Sequence, residues 1–422
     1  MSYTVSRRNL LKLGGAGLVG AGLGSTALTR AAFGQSFTLR GAAPSSQQGP
    51  IDALAEKFKA RYPGSDISFE YAASDPLTQS VRVQLTSGTA PDILPTWPGG
   101  GNALSVGQVA PNGFLRGLND RSWSTSVPKA FDDVTRLDGE LYFLSMQVSM
   151  IGAIVNMDVW PKFGVEQPKT WSAFLDVCQK IKDQGVTPIA MGAGDAWTAQ
   201  LTTYALVAST EFGKNPDFAD EMLAGNATFS ESGWKEALEK YMELNNRGFL
   251  SANPVGTSNA EQLQMLVSGE AAMMIMVSNQ MGQLFTLSGH NNFWQFPVPG
   301  TDDPSQTRIP ASASSGFGVN AAGNVDAALA WVDFLAEPEN VAAWGEVSGL
   351  PTVLPGRSNR FDGIYKDMKP LLDSDLSVLY MDNKWPNSRV QQTHMSGVQE
   401  LLNDANSIEA VLKAMDDAFV SS

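Results

Sequence analysis

SVRVQLTSGTAPDILPTWPGGGN, residues 80–102, reads as helix, tight turn, strand and loop in immediate succession. Val81 and Leu85 share one helical face, Gly88 stands where a left-handed C-terminal cap is wanted, and Ala90-Pro91 forbids further helix. Asp92-Ile93-Leu94 then has the character of a short buried strand, which Pro95, Trp97, Pro98 and Gly99-Gly100-Gly101 are expected to end. Ligands of open α/β sheets bind beyond the carboxyl ends of strands, and Trp97 stands at such an end as a flat binding platform.

Working towards the N-terminus, Phe37 to Gly41 alternates as a strand and Pro44 to Pro50 is a polar loop. Ile51, Leu54, Ala55, Phe58 and Tyr62 keep helical spacing up to Pro63-Gly64, and Ile67 to Tyr71 alternates again. The order predicts a right-handed β-α-β unit with Ser45 and Asp75 on the rim that carries Trp97. Towards the C-terminus, Leu137 to Leu144 carries Asp138-Gly139 as a hairpin turn. An apolar run, Ile151 to Val155, leads into a helix opening at Asn156 to Trp160 and closing at Phe163-Gly164-Val165, and Thr170 is placed to cap the next helix.

Leu85 to Ile93 resembles the "sG.aPDi" segment of the extracellular solute-binding proteins of ABC importers, the family that includes maltose-binding protein. Leu137 to Phe174 resembles that family's "dGk.yg.P......l.yNk.lf.k.Gv..Pp.TW.el" pattern, with Ser145 where proline is usual and Val155 where an aromatic is common. Gly185 to Met191, Leu266 to Ile275, Ser314 to Asn320, the helix Val325 to Leu335 and Gly349-Leu350-Pro351 continue the likeness in the correct order. The resemblance implies an α/β, two-lobed periplasmic binding protein fold of type II character, with a ligand cleft between lobes joined by three crossings. It implies one lobe from residues 36–146 plus 303–349 and another from 147–302 plus 350–422, with crossings near Met146, Gly300 and Leu350. It further implies a non-enzymatic, monomeric protein that needs no cofactor, binds a mono- or oligosaccharide and hands it to the permease subunits of an ABC importer.

Residues 1–34 read as an export leader: Ser6 to Lys12 resembles a twin-arginine motif, and an apolar run from Leu13 to Leu28 precedes the small-residue site Ala32-Phe33-Gly34. A membrane anchor is the alternative; the run is rich in glycine and Arg30 follows it, so cleavage near Gln35 and a periplasmic location are expected. Removing this leader, with Arg7, Arg8, Lys12 and Arg30 and no acid, takes the net charge from −14 to −18. Such acidity disfavours nucleic acid and anionic lipid as partners. The sole cysteine, Cys178, and the two histidines, His290 and His394, offer few ligands for a soft-metal centre and no catalytic pair. There is no Gly-x-Ser-x-Gly, Walker loop or His-Glu-x-x-His, and no lysine follows Gly99 to Gly101.

A sugar site needs flat aromatic surface for the ring face and polar side chains in the ring plane. Trp97, Trp197 and Trp385 fall near places where the resemblance puts stacking residues, whereas Trp171, Trp234, Trp331 and Trp344 lie in helical patterns that suit packing. Asp75 and Asp195, in loops at strand ends, suit bidentate hydroxyl acceptance, and Asp195 equally suits a helix N-cap. Gln147 at the first crossing, Asn279 after a buried strand, Ser45 and Ser315 in loops, and Arg389 complete the candidate set. Three rival readings remain: the same fold binding a polyol, polyamine or anion; a secreted glycoside hydrolase using Asp75 and Asp195 as its paired acids; and a receptor that presents its closed form to a sensor rather than a permease.

Overall fold

The computed structural model describes residues 36–354, 363–374 and 376–420. The leader assigned to residues 1–34 lies outside them. In chain order the strands are β1 (Thr38–Pro44), β2 (Asp66–Ala72), β3 (Ile93–Thr96), β4 (Arg136–Leu137), β5 (Glu140–Leu141), β6 (Phe143–Leu144), β7 (Val148–Asn156), β8 (Thr187–Ala190), β9 (Ala271–Val277), β10 (Phe293–Phe296), β11 (Ile309–Ala313), β12 (Gly316–Val319) and β13 (Ser377–Val378). They form two sheets and a hairpin. The first sheet runs β2-β1-β3-β12-β6; the second runs β13-β11-β7-β9-β8, with β10 also paired to β7.

Residues 80–102 fold as helix, turn, strand and loop. The helix Ser74–Ser87 buries Leu77, Val81 and Leu85, and Gly88 caps it at φ +70°. β3 is wholly buried, but it continues through Pro95 to Thr96, pairing antiparallel with β12 at Pro95↔Phe317. Pro95 therefore does not end the strand. The ladder of β3 with β1 is a single pair, Gly41↔Ile93, so the proline ring lies past the part of the strand that β1 engages. β1 and β2 pair in parallel across the helix Gln48–Arg61, which begins three residues before the expected Ile51 because Pro50 is tolerated in a first helical turn. Asp138 (φ 52°) and Gly139 (φ 79°) make the tight turn between β4 and β5. Thr170 accepts a hydrogen bond from the Ala173 amide as the expected cap, while Trp160–Phe163 forms a 3₁₀ turn rather than an α-helix.

The chain passes between the two sheets three times. β6 leads to β7 through residues 145–147, and β11 leads to β12 through Ser314-Ser315. The third passage follows the helix Pro338–Ser348, which packs on Gln48–Arg61. The second passage corrects the expected crossing at Gly300: β11 pairs with β7 and β13, so residues 303–313 belong with the second sheet. These passages lie side by side. The Ser314 amide donates to the Gln147 carbonyl (2.9 Å), the Val148 amide to Pro351 (2.9 Å) and the Val353 amide to Met146 (3.3 Å). A narrow ribbon of main-chain bonds thus connects two bodies, each with its own sheet, which is the construction of a hinge.

The second lobe is built round the helix Ala196–Thr210, thirteen of whose residues are buried. It is buried on all sides because strands and the helices Gly233–Asn246 and Ser388–Leu402 surround it, and its polar residues are chiefly small threonines and serine. Trp171, Trp234, Trp331 and Trp344 are all buried, as their helical spacing suggests, and Cys178 is fully buried.

Candidate functional site

Between the lobes lies a cavity of about 490 Å³, a volume typical of small-molecule sites. The first lobe contributes the ends of β1 and β3 and one face of the helix Ser74–Ser87; the second contributes the Ala196–Thr210 and Ser388–Leu402 helices and the segment Tyr380–Asn383. All of the contributing strand ends and helix starts lie on the rim that the β-α-β reading points to.

Of the ten residues singled out from sequence, Asp75, Trp97, Trp197, Asn279 and Ser315 line this cavity. Trp97 stands on the first lobe and Trp197 on the second, and each is half-buried, with ring surface left for an apolar face. Asp75 sits in the first turn of its helix rather than in a loop. Burial raises its pKa above the usual carboxylate range, the Trp197 backbone N–H that it accepts opposes that rise, and the nearby Asp195 adds to it. This carboxylate therefore spans the lobes, resting on the N-terminal turn of a long helix, where the dipole favours negative charge. Asn279 donates from Nδ2 to the Ser314 hydroxyl (2.7 Å), and Gln47 donates to the Ser315 carbonyl (2.8 Å), so the second crossing is held from both sides at the cavity wall.

The other five candidates lie elsewhere, each for a local reason. Trp385 is buried in an aromatic cluster, with Trp234, Phe229 and Tyr204 at 6.0, 5.8 and 6.1 Å between ring centroids, and serves packing. Gln147 is buried and accepts from the Trp344 indole N–H (2.7 Å), tying the first crossing to a helix. Asp195 precedes its helix without a capping bond from its side chain, which accepts the Asn259 amide instead (2.7 Å). It is absent from the cavity wall, so Asp75 and Asp195 do not form an acid pair facing a substrate there. Arg389 is exposed, and Ser45 yields its place on the wall to Pro44 and Ser46.

Sequence reading missed most of the second lobe's polar wall. Ser388, Gln391, Gln392, Met395 and Gln399 line the cavity from one helix. Their spacing of three, four, seven and eleven residues is a polar stripe visible in the sequence, although a solvated face gives the same pattern. Gln200 and Tyr204, one turn apart on a helix otherwise made of apolar and small hydroxyl residues, are a second such signal; the Tyr204 hydroxyl donates to Gln200 (3.0 Å). Tyr380, Asp382 and Asn383 carried no signal. Asp382 accepts from Gln391 Nε2 (2.7 Å) on Oδ2, and burial pushes its pKa up to about 7. Behind Tyr204, His394 is fully buried, stacks on that ring at 5.5 Å and is held neutral by burial, its pKa lowered to about 3.

Among the described residues no group of three or more His, Cys, Asp or Glu side chains is arranged to hold a metal ion. Likewise, no described helix is long and apolar enough to cross a membrane. What the cavity offers is two indoles, amides, hydroxyls, two carboxylates and the guanidinium of Arg82, a recognition surface for a polar solute with an apolar face.

Comparison with known proteins agrees with this geometry. A model of the family described as bacterial extracellular solute-binding protein matches residues 43–342. An uncharacterized ABC transporter extracellular-binding protein of Pyrococcus horikoshii is 22% identical over 383 residues, covering 86% of this chain and 82% of that one. A probable sugar-binding periplasmic protein of Rhizobium meliloti is 26% identical over 231 residues, 53% of this chain and 50% of that one. A solute-binding protein solved in complex with raffinose superposes with a TM-score of 0.77 at 16% identity, covering 91% of this chain and 99% of that one.

Proposed function

This chain belongs to the bacterial extracellular solute-binding protein family, and on that premise we propose that it captures a small carbohydrate between its lobes and delivers it to the transmembrane subunits of an ABC importer. The observation that carries the reading is the pair Trp97 and Trp197, one half-buried indole from each lobe on a cavity otherwise rich in amides, hydroxyls and carboxylates. Indole faces take the C–H face of a sugar ring while the polar groups engage its hydroxyls. Relatives described as sugar-binding, and the fold shared with a raffinose complex, support the same solute class.

Family members are binding proteins, and this cavity holds a solute without transforming it. Binding closes the lobes about the three-passage hinge, and the permease recognises the closed form through contacts that the open form lacks. The leader reading supports export of the folded chain by a twin-arginine route to the periplasm, where it acts as a monomer on a solute rather than on nucleic acid.

Isothermal titration of the folded protein with maltose, raffinose, D-galactose and N,N′-diacetylchitobiose tests the proposal. Saturable binding of at least one, lost on replacing Trp97, is the expected result. Silence across a broad panel of mono- and oligosaccharides, with binding of a polyamine or an inorganic anion instead, overturns it.

A further inference from the structure

We propose that the cleft takes a saccharide carrying a carboxylate, a uronic acid or another acidic sugar, and that the Arg82 guanidinium pairs with that group. The inference deepens the carbohydrate reading above and rests on it. Arg82 is the only lysine, arginine or histidine among the residues lining the cavity. It lies on the helix Ser74–Ser87 at helical spacing from Asp75, Thr78 and Gln79, so the four share the face turned to the cleft. Arg82 is exposed and, among the described residues, its side chain holds no carboxylate, whereas Arg61, Arg116, Arg121, Arg136 and Arg247 each hold an acid. Arg40, Arg308 and Arg389 also pair with no acid there, but none of them lines the cavity. Outside residues 1–34 acidic side chains outnumber basic ones by 18, which works against an anion at long range. Recognition of an acid therefore falls to this one contact, and a single substitution removes it.

The other polar groups of the wall sort in the same direction. Several acceptors are engaged within the protein: Asp75 accepts the Trp197 backbone N–H, Asp382 accepts from Gln391 (2.7 Å), Gln200 Oε1 accepts from Tyr204 (3.0 Å) and Asn383 Oδ1 accepts from Ser312 (2.6 Å). The amide groups Gln200 Nε2 and Asn383 Nδ2 are left as donors, without a partner among the described residues and not sealed in the interior. A wall whose free groups are donors and one cation complements a ligand that brings acceptors and one negative charge. The planar guanidinium fork matches a carboxylate through two parallel N–H···O bonds. With Asp75 and Asp382 on the same wall, one guanidinium suits a monoanion better than a dianion, which favours a carboxylate over a phosphate ester. Arg82 stands seven residues, about 10 Å of helix, beyond Asp75. The two ends of this face thus differ in sign, and a saccharide can set neutral hydroxyls at one end and its acid at the other.

The test is titration calorimetry of wild type and Arg82→Gln at low and high salt. The acidic probes are D-galacturonate, D-glucuronate, N-acetylneuraminate and digalacturonate; beside them stand neutral D-galactose and D-glucose, D-galactose 6-phosphate and citrate. Glutamine keeps helix propensity at an exposed position, so the thermal midpoints of the two proteins should agree. The expected result is that wild type binds at least one acidic saccharide more tightly than either neutral hexose. Arg82→Gln should weaken that acid about 5- to 30-fold, leave a neutral sugar within twofold, and abolish the salt dependence that wild type shows for the acid. Equal losses for acid and neutral sugar, or no loss for either, overturn the inference and leave the carbohydrate reading standing. A preference for the neutral hexose or for the phosphate ester over every acidic saccharide does the same. Binding of citrate but of no saccharide removes the carbohydrate reading and this inference with it.

Discussion

Gly100→Ala is predicted to hinder closure without harming either lobe. Gly99, Gly100 and Gly101 follow β3 on the first lobe and meet the second lobe's segment 382–385 backbone to backbone; the Gly100 amide donates to the Asn383 carbonyl at 2.9 Å. A Cβ at Gly100 would stand 2.3 Å from the Trp385 carbonyl oxygen, so the two lobes must part by about 1 Å to relieve it. Gly100 is not one of the glycines with positive φ, so the methyl group acts through this contact rather than through a left-handed backbone. Losing the cross-lobe hydrogen bond costs about 0.5–1.5 kcal/mol and the overlap about 1–3 kcal/mol, together roughly 1.5–4.5 kcal/mol against the closed arrangement. At 1.4 kcal/mol per tenfold, that is roughly 10- to 1,600-fold in the closed population and, where ligand binds the closed form, in affinity. Fluorescence energy transfer between dyes on the two lobes, read with and without ligand, together with titration calorimetry, measures both quantities. Gly113→Ala is the control: it places alanine at φ +72° with no atom within 4 Å, so it strains a turn and leaves closure alone. An unchanged affinity and an unchanged transfer efficiency in Gly100→Ala would refute the role assigned to these glycines.

Trp97→Ala is expected to weaken sugar binding by about 1–3 kcal/mol in calorimetry with little change in unfolding midpoint, because its ring is half-buried on the cavity wall. Trp385→Ala is expected to do the reverse, lowering stability by about 3–5 kcal/mol in urea titration, since its indole fills an aromatic core. For His394 the folded pKa of about 3 lies below the unfolded value, so the unfolded chain binds more protons, and the resulting stability is present above pH 6.5 and lost as pH falls through 3. His394→Leu should flatten that acid-side loss, by roughly 2–3 kcal/mol at pH 4.5 relative to wild type in pH-dependent melting. It should also raise stability at pH 7, because neither imidazole nitrogen has a hydrogen-bond partner.

Several elements were legible because their signals are local. Gly88, Gly164 and Gly269 close helices in the left-handed conformation, Asp138-Gly139 turns a hairpin, and Thr170 caps a helix, each through atoms within a few residues. Trp97 and Asp75 were found for a related reason: strand polarity alone puts the residues after β2 and β3 on the ligand rim. The failures are non-local. Ile309 to Ala313 is a short run containing a proline, and nothing within it says which sheet it joins; pairing with β7 and β13 decided that and moved the second crossing to Ser314-Ser315. Trp197 and Trp385 look alike in sequence, yet one lines the cavity and the other packs against Trp234 and Phe229.

By itself the sequence determined the α/β alternation, the order of the elements, their caps and turns, and the rim on which a ligand would sit, since periodicity and backbone stereochemistry act over a few residues. Tertiary structure alone decided which side chains face the cavity. Asp382 lies nearly three hundred residues beyond Trp97 in the chain, and the two come to one cavity wall only after both lobes have folded.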